Sequence, residues 1–133
     1  MCLTLSPSTL DSLSAIHEIY AKIGVTVNDI HSFNKELNAW NRDHKEGARL
    51  LNMVNLLSHD TGVSYAAAKR VLWILCREWE LEFKGMIQEK LNDRTIPASE
   101  HEDLKTYLQG LVWIDGGNER WGETTARYQG YDI

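Results

Sequence analysis

Three oxygen-bearing side chains, Asn28, Ser32 and Glu36, recur at four-residue steps in the stretch Asn28-Asp29-Ile30-His31-Ser32-Phe33-Asn34-Lys35-Glu36. On a helix, residues four apart share a face, so Asn28 and Glu36 stand about one turn to either side of Ser32. Their longer side chains can lean toward an ion placed over the short hydroxyl. Amide oxygen, hydroxyl and carboxylate are hard donors, and they suit Mg²⁺ better than Zn²⁺, which favours His or Cys. Mg²⁺ also takes oxygens from phosphate substrates, and Lys35, one residue before the carboxylate, could pair with such a phosphate. From spacing alone, the polar face of a solvated helix is the simpler reading.

The residues before this stretch supply a helix to carry it. Ser6-Pro7 reads as an N-cap followed by proline at the first helical position. Leu10, Leu13, Ile16, Tyr20, Ile23 and Val27 then recur at threes and fours. The pattern predicts one helix over residues 7–40, with Gly24 as a soft spot. His17 and His31 lie on it without a metal-ligand partner at suitable spacing, and read as surface or satisfied histidines. Residues 41–47 are polar and read as a loop, with His44 and Asp43 as solvated members of it.

Residues 48–59 read as a short helix burying Leu50, Leu51, Val54 and Leu57, ended by Asp60-Thr61-Gly62. Ser64 caps a third helix over residues 65–91. Its core stripe is Ala68, Val71, Leu72, Leu75, Trp79, Phe83, Met86 and Ile87. Arg77, Glu78 and Glu80 read as scaffold or surface charges. After a loop containing Pro97, Ser99-Glu100-His101-Glu102 reads as a capping box opening a last helix toward Trp121. That helix carries Leu104, Tyr107, Leu108, Leu111 and Ile114 on one face. Gly116-Gly117 predicts a kink or a close approach to the backbone.

Asn28-Asp29, Ser32 and Lys35-Glu36 resemble the second metal-binding motif of class I terpene synthases, an asparagine/serine/glutamate triad. Lys69-Arg70-Val71-Leu72-Trp73 with Arg77-Glu78-Trp79-Glu80 is similar to a block of fungal aristolochene synthase-like sesquiterpene cyclases. Tyr107-Leu108-Gln109-Gly110-Leu111, Gly117-Asn118-Glu119-Arg120-Trp121 and Arg127-Tyr128 resemble the C-terminal pattern of the same family. The resemblance implies an all-α fold, the C-terminal half of the class I terpenoid synthase helical domain, occupying residues 1–133 as a single partial catalytic domain. It further implies that Asn28, Ser32 and Glu36 bind one Mg²⁺, that Lys35, Arg127 and Tyr128 bind diphosphate, and that Trp121 and Asn118 line the pocket for a cationic intermediate.

The chemistry of those residue types agrees. A guanidinium fork suits phosphate oxygens and a phenol adds a donor, while a tryptophan face stabilises a cation. Without the resemblance, Trp121 reads equally as a core tryptophan at a helix end. The implied activity is Mg²⁺-dependent ionisation and cyclisation of farnesyl diphosphate to a sesquiterpene, with release of diphosphate. Three positions depart from the family pattern: Gly122 where serine is usual, and Asp115 and Gly116 where a larger apolar and a small polar residue are usual. A carboxylate at Asp115 near a cation could quench it or act as a base.

The net charge of -5 argues against nucleic acid as a partner. No segment has the length and apolarity of a membrane span or a signal peptide. Cys2 and Cys76 stand in no metal or redox spacing, so the sequence reads as a cytoplasmic protein with reduced thiols. No Asp-Asp-x-x-Asp or Asp-Asp-x-x-Glu pattern occurs, and the family's first aspartate-rich motif has no counterpart. Half of a helical barrel leaves apolar faces uncovered, which predicts aggregation or a homodimer. The alternative to catalysis is an inactive remnant that acts as a helical interaction or binding protein.

Overall fold

In the computed structural model, which describes residues 3–43 and 47–128, the chain forms α1 (Pro7–Asp11), α2 (Ser14–Arg42), α3 (Met53–Thr61), α4 (Tyr65–Leu91), a single 3₁₀ turn (Ala98–Glu100) and α5 (His101–Thr124). The fold is all-α, with no strand among the described residues. None of the helices is long and apolar enough to cross a membrane.

The helix expected over residues 7–40 is two helices. Ser6 Oγ accepts the Thr9 N–H at 3.3 Å and Pro7 begins α1 as the cap pattern predicts. Ser12 Oγ then donates to the Thr9 carbonyl at 2.6 Å, and the Leu13 N–H closes a turn on Leu10. Such side-chain bonding to the local backbone competes with helix continuation, and the turn seats Leu13 fully inside the core. Beyond it, α2 runs through Gly24 without a break and continues to Arg42. His44 lies outside the described residues.

α2 is the central element and packs against α3, α4 and α5. Its buried stripe of Ile16, Ile19, Ile23, Val27 and Ile30 meets Leu72, Cys76 and Phe83 of α4, Leu104, Leu108 and Leu111 of α5, and Val54 of α3 in one core. Burial raises the Cys76 thiol to about 11, with Glu80 adding to the effect, so it stays protonated and inert. Cys2 lies outside the described residues.

The second helix starts later than its sequence suggests. Residues 48–52 are not helical, and Asn52 caps α3 by accepting the Val54 N–H at 2.9 Å. Leu51 consequently points to solvent, 77% exposed, rather than into the core. Gly62, at φ 72°, ends α3 in the left-handed region where glycine carries no Cβ penalty. Ser64 caps α4 through the Ala67 N–H at 3.2 Å, as expected. Val71 and Leu75 are exposed, so the inward stripe of α4 is narrower than the apolar pattern.

Two features of α5 differ from expectation. Glu100 stands at its N-cap position with no side-chain cap bond. The Glu100 carboxylate instead accepts the Ser6 N–H at 3.1 Å and Ser6 Oγ–H at 3.2 Å, tying the start of α5 to the start of α1. Gly116-Gly117 neither interrupts the helix nor lies against another element. Ile114 is exposed, outside the core stripe formed by Leu104, Leu108 and Leu111. Arg77 bonds Glu80 at 2.6 Å and both Glu119 oxygens, and so latches α4 to α5.

Candidate functional site

The Asn28/Ser32/Glu36 face sits on the C-terminal half of α2. Ser32 is buried, Glu36 half-buried and Asn28 exposed. Ser32 Oγ donates directly to Glu36 Oε1, so hydroxyl and carboxylate already lie within reach of one ion. Asn28 Nδ2 donates to Tyr128 Oη at 3.0 Å, which leaves Asn28 Oδ1 for another partner. Among the described residues no group of three or more His, Cys, Asp or Glu gathers as a metal cluster. The mixed amide, hydroxyl and carboxylate set is therefore the candidate, and its donor chemistry fits a small hard cation such as Mg²⁺.

The mouth of α3 braces this face. Asn52 Nδ2 donates to Glu36 Oε2 at 3.1 Å and to the Asp29 carbonyl at 2.9 Å, while Asp29 Oδ2 accepts the Met53 N–H at 2.8 Å. Burial raises the Asp29 carboxyl above its ordinary value, opposed by that Met53 N–H and assisted by nearby Glu36. Sequence reasoning assigned Asn52 no role. An asparagine two residues before Val54 is a legible N-cap signal, but its partner on α2 is not legible from the chain.

After α5, residues 125–128 turn back onto α2. The Thr125 N–H bonds the Trp121 carbonyl at 2.8 Å and the Tyr128 N–H bonds the Thr125 carbonyl at 3.2 Å. This turn brings the Tyr128 ring edge-on to Trp121, 5.4 Å between centroids, with its hydroxyl at Asn28. Asn28, His31, Asn118, Trp121, Gly122 and Tyr128 share the lining of a pocket of about 120 Å³. Pockets that enclose whole organic ligands run to about 300–1,000 Å³, so this cleft is too small to enclose one.

Four of the residues singled out from sequence, Asn28, Asn118, Trp121 and Tyr128, thus converge. Ser32 and Glu36 adjoin them along α2. Lys35 is exposed, two turns beyond Asn28 on the same helix, and makes no hydrogen bond or ion pair to another described residue. The Arg127 side chain is also exposed, and among the described residues its bond is that of the backbone N–H to Thr125 Oγ1 at 3.4 Å. Neither lines the pocket. Asp115 does not line it either: its electrostatic neighbours are Glu80, Glu119, Lys84 and Arg77, and burial followed by the two glutamates raises its carboxyl.

The two histidines part company. His17 is satisfied, its Nε2 2.9 Å from Tyr107 Oη. His31 is not: Nε2 is buried without a hydrogen-bond partner, and the ring stands edge-on to Trp73 at 5.5 Å. Burial pushes its pKa below the ordinary value against the pull of Glu123 and Glu119. A Cβ on Gly122 would lie 2.5 Å from His31 Cδ2, closer than atoms approach, so glycine at this departure from the family pattern makes room for the imidazole.

With this geometry in hand, comparison with known proteins is specific. The family model described as "Terpene synthase family 2, C-terminal metal binding" matches residues 1–82. The chain is 39% identical over 128 residues to aristolochene synthase of Penicillium roqueforti, covering 96% of this chain and 36% of that protein. It is also 39% identical to aristolochene synthase of Aspergillus terreus, of which it spans 39%. Spiroviolene synthase of Streptomyces violens is 30% identical over 117 residues. The crystal structure of the Penicillium roqueforti aristolochene synthase superposes with a TM-score of 0.76 at 32% identity, over 92% of this chain and 38% of that one. With the family model matched over residues 1–82 of 133, the chain belongs to the terpene synthases of family 2.

Proposed function

We propose that this chain is the C-terminal metal- and diphosphate-binding portion of a Mg²⁺-dependent sesquiterpene cyclase, acting on farnesyl diphosphate in the cytoplasm. The observation that carries the reading is the convergence on α2: Ser32 in contact with Glu36, and Asn28 one turn before them joined through Tyr128 to Trp121. Asn28, Ser32 and Glu36 hold the ion by an amide oxygen, a hydroxyl and a carboxylate. Bound there, Mg²⁺ supplies Lewis-acid stabilisation of the leaving diphosphate. Lys35, Arg127 and the Tyr128 hydroxyl donate to diphosphate oxygens, for which exposed cations are suited. Trp121 offers a π face to the hydrocarbon cation, and Asn118 shapes the same wall.

A second reading has its own observation. Ile74, Leu81 and Trp113 are 62%, 65% and 72% exposed. Exposed apolar residues on that scale fit an inactive remnant that binds another helical protein.

Incubation of the purified chain with farnesyl diphosphate and Mg²⁺, with volatile products read by gas chromatography, separates the two. A hydrocarbon that disappears in the Glu36→Ala variant supports the cyclase. A folded chain that yields none under the same conditions defeats autonomous turnover and leaves the binding role.

A further inference from the structure

The Asn52 side chain spends more hydrogen bonds than a helix cap needs. Capping α3 uses Oδ1 alone, which accepts the Val54 N–H, and serine or aspartate would serve there as well. The amide NH₂ has two N–H groups, and both go to α2: one to Glu36 Oε2, 16 residues earlier, and one to the Asp29 carbonyl, 23 residues earlier. The residue is 1% exposed, so each of these groups would be costly to leave unpaired. Turning the amide over would set an acceptor against two acceptor oxygens, so the donor orientation is fixed by its partners. Asp29 closes the clasp by accepting the Met53 N–H.

Resting on the metal-binding reading above, we propose that Asn52 is a positioning residue for Glu36. It holds one carboxylate oxygen so that the group faces the Asn28/Ser32 side of α2. The choice of amide has a physical reason. An arginine or lysine in this place would anchor the carboxylate more strongly but would neutralise it and compete with the ion. A neutral N–H donor fixes the orientation and leaves the negative charge for the cation. Partners of this kind behind a metal ligand are worth about 10–100-fold in metal affinity.

The test uses Asn52→Ser and Asn52→Asp, both good caps that lack the NH₂. Mn²⁺ binding to the full chain is titrated in the presence of inorganic diphosphate and followed by the spin signal of free Mn²⁺, with Glu36→Gln as the reference for a lost ligand. The expected result is affinity about 10–100-fold weaker in both Asn52 variants, at a temperature where circular dichroism shows wild-type helix content. Variants that keep the cap and bind Mn²⁺ like wild type overturn the positioning role and leave the metal reading intact. A wild-type chain that binds no Mn²⁺, or a Glu36→Gln variant that binds it equally well, overturns both.

A second readout is independent of metal. In thermal unfolding, the Asn52→Ser/Glu36→Ala double variant, in which position 36 keeps no acceptor, is expected to lose less than the sum of the single losses, because the two side chains share one bond. Strict additivity overturns the proposal, whatever the stability of the individual variants.

Discussion

Gly122 shows how one missing Cβ shapes the pocket wall. The His31 ring fills the space a side chain would take, with the nearest approach at 2.5 Å. Gly122→Ser is therefore expected to destabilise the chain by about 1–3 kcal/mol, the usual range for overpacking. The added His31→Ala change should recover most of that loss, as measured by thermal unfolding of the four-member cycle. Asp115 is a second residue whose environment makes a prediction. Burial, then Glu80 and Glu119, raise its carboxyl above 3.8, so the folded state holds this proton more tightly than the unfolded chain. Stability from this group is complete below the unfolded value and is lost as pH rises through the folded one. Asp115→Asn should raise Tm at pH 7 by about 2–4 °C, with the difference shrinking toward pH 4. An equal gain at both pH values would mean that packing, not ionisation, is responsible.

Among the elements, α2 carries both the Asn28/Ser32/Glu36 face and the core stripe, so its neighbours determine how firmly that face is held. The connections differ in kind. The Arg77 latch from α4 to Glu119 on α5 is half-exposed. Solvent screening limits such a pair to about 1 kcal/mol or less, even though the ion pair raises the guanidinium pKa and lowers that of Glu119. Leu108 on α5 is fully buried, and truncating it opens a cavity costing about 2–5 kcal/mol. Urea unfolding should accordingly show Leu108→Ala well below Arg77→Leu in midpoint. The reverse order would mean that the Arg77–Glu119 latch, not core packing, dominates the attachment of α5.

For the molecule as a whole, the outer surface sets behaviour in solution. Ile74 and Leu81 lie seven residues apart on one face of α4, and Trp113 and Ile114 are exposed on α5. Apolar surface of this extent favours self-association. Sedimentation at tens of micromolar should show a dimer or larger species. Combined Ile74→Lys, Leu81→Lys and Trp113→Lys substitution should yield a monomer of unchanged helix content. A wild-type chain that sediments as a monomer would remove the homodimer from consideration.

Periodicity and caps were enough to read the helical class, the start of α1 at Ser6-Pro7, the glycine stop at Gly62 and the Ser64 cap, because these are local backbone effects. The spacing of Asn28, Ser32 and Glu36 likewise put three oxygen donors on one face, since helical geometry alone requires it. The break at Ser12-Leu13 was not legible, because it depends on a serine back-bond rewarded by burying Leu13. The late start of α3 was hidden by Leu50 and Leu51, whose apolar character outweighed the cap signal of Asn52. Tertiary structure alone decided that Asn52 grips Glu36, that Tyr128 reaches Asn28 across a hundred positions of chain, that Asp115 stays out of the pocket lining, and that His31 occupies the volume Gly122 leaves empty. These are contacts between distant segments, and no local pattern in the sequence encodes which distant partner a side chain will meet.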